Sequence, residues 1–405
     1  MLSEVLSAKP ALLFACRLDS LFPFLPLQVF MFPEFRRHLS AVFELALVRT
    51  LLTLLLALAA ASLCLRLHTP LPWMIGPLMM TAALSMLGTP TQSWTPLRNT
   101  GQWIIGAVLG LYFTPQVLTL VAGLWWVFLL NIIWALALGL VFGQWLYWVH
   151  HDSPQAWLAK FHIKGLSPVT TYYSSPIGAA SEMTLMGERH GAQTELVASA
   201  HSLRVLLVTL IIPFAFQGAG LHGLDMVQPV ARVVEWPGLA LLAALTGLGC
   251  WAMVKLKATN PWFVGALVVS MVLTACNVNL SSVPQAMTNA AQLLIGVSLG
   301  VRFTSSFVHL APRWLASVAF TTLGLIALCA GFAWLLFSLT GIHWATLTLA
   351  TAPGGIAEMA ITAKVLQLGV PFVTTFHVTR LAAVLLLSEP AYRWFYRVKK
   401  PSAGR

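Results

Sequence analysis

Long apolar runs alternate with short polar breaks between about residues 44 and 390. In the first half the runs cover roughly 44–66, 72–88, 99–116, 120–148 and 194–216. In the second they cover roughly 236–254, 261–276, 289–307, 313–340 and 371–390. A helix that crosses a bilayer needs about 20 apolar residues, so this rhythm predicts a multi-pass helical membrane protein with ten crossings. Two further blocks, 167–190 and 345–366, are shorter and are cut by Pro and Gly. The first contains SSPIGAASEM (Ser174–Met183) and the second TAPGGIAEM (Thr351–Met359). Proline removes a helix donor and glycine weakens the helix, so both blocks are expected to be broken helical elements.

The pattern repeats within the chain. PWMIG at Pro72–Gly76 returns as PWFVG at Pro261–Gly265. QWIIGAVLGLYFT at Gln102–Thr114 returns as QLLIGVSLGVRFT at Gln292–Thr304, and each copy carries a G-x-x-x-G: Gly106 and Gly110, then Gly296 and Gly300. Small residues at that spacing let helices approach closely, and packing is the reading given to them. Aligning Glu182 with Glu358 places His201 on His377 and Arg204 on Arg380: 201 − 182 and 377 − 358 are both 19, and 204 − 182 and 380 − 358 are both 22. The prolines miss this register. Pro176 lies six residues before Glu182, and Pro353 five before Glu358.

Charge chooses between two topologies. If the broken blocks dip in and return as re-entrant hairpins, each copy has five crossings. With Arg36 and Arg37 cytoplasmic, Arg98, Lys160, Lys164, Lys255, Lys257, Arg302, Arg313 and the tail Arg393, Arg397, Lys399, Lys400 and Arg405 then also lie inside. Arg66 and the loop 217–235 dissent. Basic residues concentrate on the cytoplasmic side, which favours the hairpin arrangement and puts both termini in the cytoplasm. An odd number of crossings inverts the second copy, an arrangement shared by many secondary transporters. The expected fold is therefore an all-α polytopic membrane protein: two inverted repeats of about five transmembrane helices, each with a broken, re-entrant helical hairpin. The expected segments are an extension (1–40), repeat 1 (41–217), an inter-repeat loop (218–235), repeat 2 (236–395) and a basic tail (396–405). The extension lacks a signal-peptide cleavage pattern, and Met31 could serve as the start.

Composition agrees with this reading. Of 405 residues, 58% are hydrophobic and only 9% charged, far below the roughly one quarter of a soluble domain. The net charge of +11 follows from the one-sided basic loops and does not indicate a nucleic-acid partner. Sixteen tryptophans suit interfacial belts. Cys16, Cys64, Cys250, Cys276 and Cys329 are scattered, without Cys-x-x-Cys, so neither a disulfide framework nor a zinc site is expected. His150, His151, Asp152 and His162 are read as a solvated helix end rather than a metal site.

Glu, His and Arg in apolar segments are costly and are usually paired or functional. His201 and Arg204 share a helix face, as do His377 and Arg380. Two readings stay open. In one, each Glu pairs with an Arg and locks hairpin to helix. In the other, Arg204 and Arg380 bind an anionic group, while Glu182, Glu358 or the histidines carry a coupling proton. The substrate- or ion-binding set is Ser175, Pro176, Gly178, Glu182, His201, Arg204, Pro353, Gly354, Gly355, Glu358, His377 and Arg380. No catalytic residue, cofactor or metal is expected.

The motifs SSPIGAASEM and LVASAHSLRVLLV, TAPGGIAEM and FHVTRLAAVLL, with the duplicated Q-x-x-I-G-x-x-L-G block, resemble the bacterial AbrB membrane-protein family over roughly residues 45–395. Members carry labels as regulators of aidB and as ammonia monooxygenases. The family is also grouped with the cation:proton antiporter/anion transporter superfamily, which implies inverted repeats with broken helices, and it implies an inner-membrane location. Its Pro-Gly-Gly stands intact at Pro353–Gly355, whereas the first copy has Pro176-Ile177-Gly178. The leading expectation is a secondary transporter, not an enzyme, moving a small anionic metabolite with H⁺ or Na⁺. The alternatives are a membrane-embedded regulator of gene expression and an ammonia monooxygenase-type oxidoreductase, the latter without convergent metal ligands. The expected partners are membrane lipid and a small-molecule or ion ligand, with no nucleic acid; a homo-oligomer stays open.

Overall fold

The computed structural model describes residues 46–151, 166–178, 180–221, 223, 233–305 and 312–396. The extension 1–40, Arg36, Arg37, Asp152, Lys160, His162, Lys164, most of the inter-repeat loop and the tail from 397 lie outside the described residues. Among those described, the regular structure is entirely helical. The first copy forms α1 (Ala46–Arg66), α2 (Pro72–Met86), α3 (Thr95–Gly110), α4 (Pro115–Gly123), α5 (Trp125–His151), α6 (Pro168–Ser174), α7 (Ala180–Arg189) and α8 (Thr194–Gly218). The second forms α9 (Trp236–Lys255), α10 (Pro261–Ala275), α11 (Gln285–Gly300), α12 (Pro312–Thr340), α13 (Trp344–Thr351), α14 (Ile356–Val365) and α15 (Val370–Phe395).

Six of these are long and apolar enough to cross a membrane: α1, α5, α8, α9, α12 and α15. This is a multi-pass membrane protein. The ten apolar runs form helices of unequal length. α2 and α10 have 15 residues each, and α3 and α11 have 16. At about 1.5 Å per residue such helices fall short of a core roughly 30 Å thick. The apolar run did not reveal where local chemistry would stop the helix. α2 starts on Pro72 after Leu71 in the left-handed region, and α10 starts on Pro261 after Asn260 in the same conformation. Proline suits the first helical position because its missing N–H is an orphan there. α3 ends at Gly110, and α4 begins at Pro115, capped by Thr114, whose hydroxyl accepts from the Val117 N–H. The bend between α3 and α4 is 87°.

The described chain forms two compact units, and each draws on both copies. One holds α1, α2 and residues 293–305 around Ala57, Leu293 and Val297. Here α1 packs closely on α2, because Gly76 lies against the Ala60 and Ala61 backbone. Gly296 and Gly300 of the second copy pack on α2. The other unit contains the remaining helices. In it α9 packs on α10 through Gly265 and Cys250, and Gly106 and Gly110 of the first copy pack on α10. Trp103 Nε1–H donates to Thr246 Oγ1 at 2.9 Å.

Candidate functional site

Both Pro/Gly blocks form two short helices with a break between them, followed by a long helix. α6 stops at Ser174, the chain bends through Ser175–Gly178, and α7 follows. α13 stops at Thr351, bends through Ala352–Gly355, and α14 follows. Ser167 caps α6 and His343 caps α13. Gly139 and Gly143 of α5 let break 1 lie on that helix: a Cβ on Gly139 would sit 3.4 Å from Pro176 Cα.

The long helices supply one matching network each. In α8, His201 Nε2 lies 2.9 Å from the Tyr173 carbonyl. Arg204 donates from Nη1 to the Ser175 carbonyl and from Nη2 to that of Pro176, both at 2.8 Å, and also bonds His201 Nδ1. In α15, His377 Nε2 lies 3.0 Å from the Leu349 carbonyl. Arg380 Nη1 donates to Thr351 at 3.2 Å and Ala352 at 2.8 Å, while Nη2 donates to Gly354 at 3.1 Å and to His377 Nδ1 at 2.7 Å. Each histidine reaches back 28 residues, and each arginine 29 and 28. The contacts equate Pro176 with Ala352 and Gly178 with Gly354, so the shifted prolines do not disturb them.

A carbonyl oxygen can only accept, so Nε2 of each histidine carries the ring proton. Nδ1 then offers a lone pair to the guanidinium. Both histidines are neutral relays between an arginine and a carbonyl. All four side chains are buried, His201 and His377 to 1% exposure. Neither arginine pairs with a carboxylate among the described residues, so the expected Glu–Arg lock is absent there.

The glutamates sit on the first turns of their helices, where a carboxylate is favoured by the helix dipole. Glu182 is half-buried and Glu358 buried. The Glu358 carboxylate folds back over Gly355, and a Cβ there would lie 2.9 Å from its Cδ. Gly355 therefore makes room for the acid, and Gly354 makes room for Met359. Pro353 is buried between Ala352 and Gly354.

Break 1 meets the long helix of the other copy. Gly178 of break 1 packs against α15 of the other copy, where a Cβ would meet Val384 Cγ1 at 2.8 Å. Val384 lies one turn beyond Arg380.

A matching family model, described as Transition state regulatory protein AbrB, covers residues 73–396. The chain belongs to the AbrB family. It is similar to "Uncharacterized protein YhjN" of Bacillus subtilis (strain 168), 27% identical over 356 residues, 80% of this chain and 88% of that protein. It is also similar to "Putative regulator AbrB" of Escherichia coli (strain K12), 26% identical over 346 residues, 82% of this chain and 92% of that protein. No solved structure matches.

Two features of this AbrB-family chain escape pattern reading. His150 is not a solvated helix end: it is buried, 3.1 Å from Ser317 Oγ, and packs on Trp314. Beside break 1, Tyr172, Tyr173, Tyr392, Tyr396 and His190 form a ring cluster with neighbouring centroids 5.0–5.8 Å apart. Tyr172 OH donates to the Ser388 carbonyl at 2.7 Å, and His190 lies 3.7 Å from Glu389, which also pairs with Arg393. Four of the six tyrosines in the chain gather here. The matching positions in the other copy, Thr348 for Tyr172 and Leu349 for Tyr173, cannot form such a cluster.

Proposed function

We propose that this protein is a secondary transporter of a small anionic metabolite, coupled to H⁺ or Na⁺, and not an enzyme. The supporting observation is the pair of broken elements held by matching His–Arg networks in two copies of one sequence. Irregular backbone at membrane depth is tolerated where it is buried in protein or lines a cavity. Duplicated broken helices meeting between repeats are how many transporters build a substrate site. In this reading the copies are inverted and the broken blocks are re-entrant hairpins. The short helices α2, α3, α10 and α11 cross against protein neighbours. Lys255, Lys257, Arg98, Arg302 and Arg313 face the cytoplasm of a bacterial inner membrane, as do both termini. The ligand lies at the breaks, among Ser175, Gly178, Gly354 and Gly355, with Glu182 and Glu358 carrying a coupling proton.

A thermal-shift screen of the purified protein tests this reading, using monocarboxylates, dicarboxylates and phosphate with and without Na⁺ at two pH values. A ligand of the native state raises the melting temperature. One anion class should do so, and the shift should fall in Glu358→Gln. Stabilisation by Na⁺ alone, with no anion effective, overturns the anionic assignment. A regulatory role, suggested by the name of the Escherichia coli relative, is the second reading. Anion binding without uptake by reconstituted vesicles would favour it.

A further inference from the structure

We infer that His201 with Arg204, and His377 with Arg380, are positioning residues: they clamp the two breaks by taking up the carbonyls a bound cation would need, and neither histidine carries a proton in transport. The inference deepens the proposed transporter reading, since it assumes that the breaks are where ligand binds.

Three observations carry it. Both Nη atoms of each arginine are engaged by neutral acceptors. Arg380 serves Thr351, Ala352, Gly354 and His377, while Arg204 serves Ser175, Pro176 and His201. A ligand that took these N–H groups would have to displace the break they hold. The histidines have no free nitrogen, because Nε2–H is given to a carbonyl and Nδ1 to the arginine. A second ring proton would replace a lone pair facing a guanidinium with an N–H facing it. Finally, the network keeps its chain separations although the proline moves by one residue between copies, so the contacts follow the carbonyl positions and not the proline.

The consequence for ligand chemistry concerns sign. Unwound carbonyls are what commonly coordinate Na⁺ in broken transporter helices. Here Leu349, Thr351, Ala352 and Gly354 have spent theirs on the clamp, and the Gly355 carbonyl accepts from the Met359 N–H. The Glu358 carboxylate already lies over the first turn of α14, so at break 2 the clamp competes with a cation for carbonyl oxygens.

Glutamine distinguishes a relay from a proton carrier. Its amide offers one donor and one acceptor, like the neutral imidazole, but does not titrate. Hydrogen–deuterium exchange is measured by mass spectrometry on the ligand-free, full-length protein in detergent, over peptides covering 349–358. His377→Gln should exchange within about twofold of wild type, while His377→Ala should exchange about tenfold faster. Arg380→Lys should also accelerate exchange, because one ammonium cannot serve three carbonyls in the fixed fork of a guanidinium. This variant decides the matter if His377→Ala does not fold. Peptides from α1 and α2 report whether any effect is global. Wild-type exchange in both the Ala and Lys variants overturns the clamp, and equal, fast exchange in the Gln and Ala variants overturns the neutral-relay role of the histidine. Acetate, succinate and inorganic phosphate are tested separately by thermal shift on wild type and His377→Gln. If none of them binds, the ligand reading fails while the exchange result still decides the clamp. If one binds wild type but not the Gln variant, the histidine is more than a relay and the inference is wrong.

Discussion

Gly296 rests on the carbonyl of Met74: a Cβ at this position would stand 2.5 Å from that oxygen. The other copy repeats the contact, with Gly106 on the carbonyl of Phe263. One turn on, Gly300 meets the Leu78 carbonyl and Gly110 the Leu267 carbonyl, and a Cβ would lie 2.7 Å away in both cases. Each duplicated G-x-x-x-G helix thus packs on the Pro-Trp helix of the opposite copy, not its own. Exchange of this kind ties the copies together by backbone-to-backbone approach, which only glycine permits.

Gly296→Val should therefore destabilise the protein by roughly 1–3 kcal/mol, the usual cost of overpacking, even though valine suits a helix at least as well as glycine does. Gly106→Val should cost a similar amount. Gly331 of α12, which has open space around it, is the control. Thermal unfolding in detergent gives the comparison. A Gly331→Val variant that loses as much as Gly296→Val would show that the effect does not come from the crossing.

Topology can be checked by labelling. Gln217 at the end of α8 and Lys257 just beyond α9 are both exposed, and α9 is long enough to separate them across the membrane. With Cys64 and Cys276 replaced by serine, a cysteine at 217 should react with a membrane-impermeant maleimide added to whole cells from the periplasmic side. A cysteine at 257 should react only after lysis. Reaction at 257 in intact cells would reverse the orientation drawn from the basic loops.

What the sequence made legible was side-chain identity and spacing. The recurrence of Glu, His and Arg at separations of 19 and 22 marked two equivalent helices and placed His and Arg on one face of each. It did not reveal what those side chains hold. Their partners are the carbonyls of Tyr173, Ser175 and Pro176, and of Leu349, Thr351, Ala352 and Gly354. A carbonyl is the same in every residue and leaves no mark in a pattern. The visible partner for Arg380 was Glu358, which made a charge pair one of the two open readings; the acid instead turns back over Gly355. Helix starts were in view, since the apolar runs from 72 and 261 begin on the prolines that open α2 and α10. The runs 99–116 and 289–307 overshoot the helix ends at Gly110 and Gly300. The glycine crossing lay half in view. Close approach was predictable from G-x-x-x-G, but the choice of the opposite copy's helix required coordinates.

The aromatic cluster beside break 1 is a second, asymmetric tie between α6 and α15. Tyr172→Phe removes the hydroxyl that donates to Ser388 at 2.7 Å within a buried site. The backbone carbonyl it leaves also belongs to a helix, so the loss should be about 0.5–1.5 kcal/mol, that of one ordinary hydrogen bond. Thr348→Val, at the matching position of the other copy, removes a bond to the Trp344 carbonyl within its own helix and reaches no other element. It should cost less. Melting temperatures of the two variants measure the difference, and a larger loss for Thr348→Val would deny the cluster its tying role.

Exchanging the charges of Glu358 and Arg380 provides the sharpest separation of a charge pair from a clamp. If the two residues attracted one another, Glu358→Arg with Arg380→Glu would restore what either single change removes. The geometry predicts the opposite. Arg380 is held by three carbonyls and the Nδ1 of His377, all acceptors. A glutamate at position 380 brings only further acceptors and leaves buried carbonyls without donors, at about 1–3 kcal/mol for each group stranded. Arginine at position 358 cannot supply them, since it would start from the first turn of α14, where a cation opposes the helix dipole. The double variant should therefore melt no higher than Arg380→Glu alone, and folded yield from membranes should fall alongside. Arg204→Glu with Glu182→Arg should behave in the same way, because Arg204 also donates to carbonyls and a histidine. Recovery of the melting temperature in either double variant would show that opposite charge, and not donation to the break, is what these positions require.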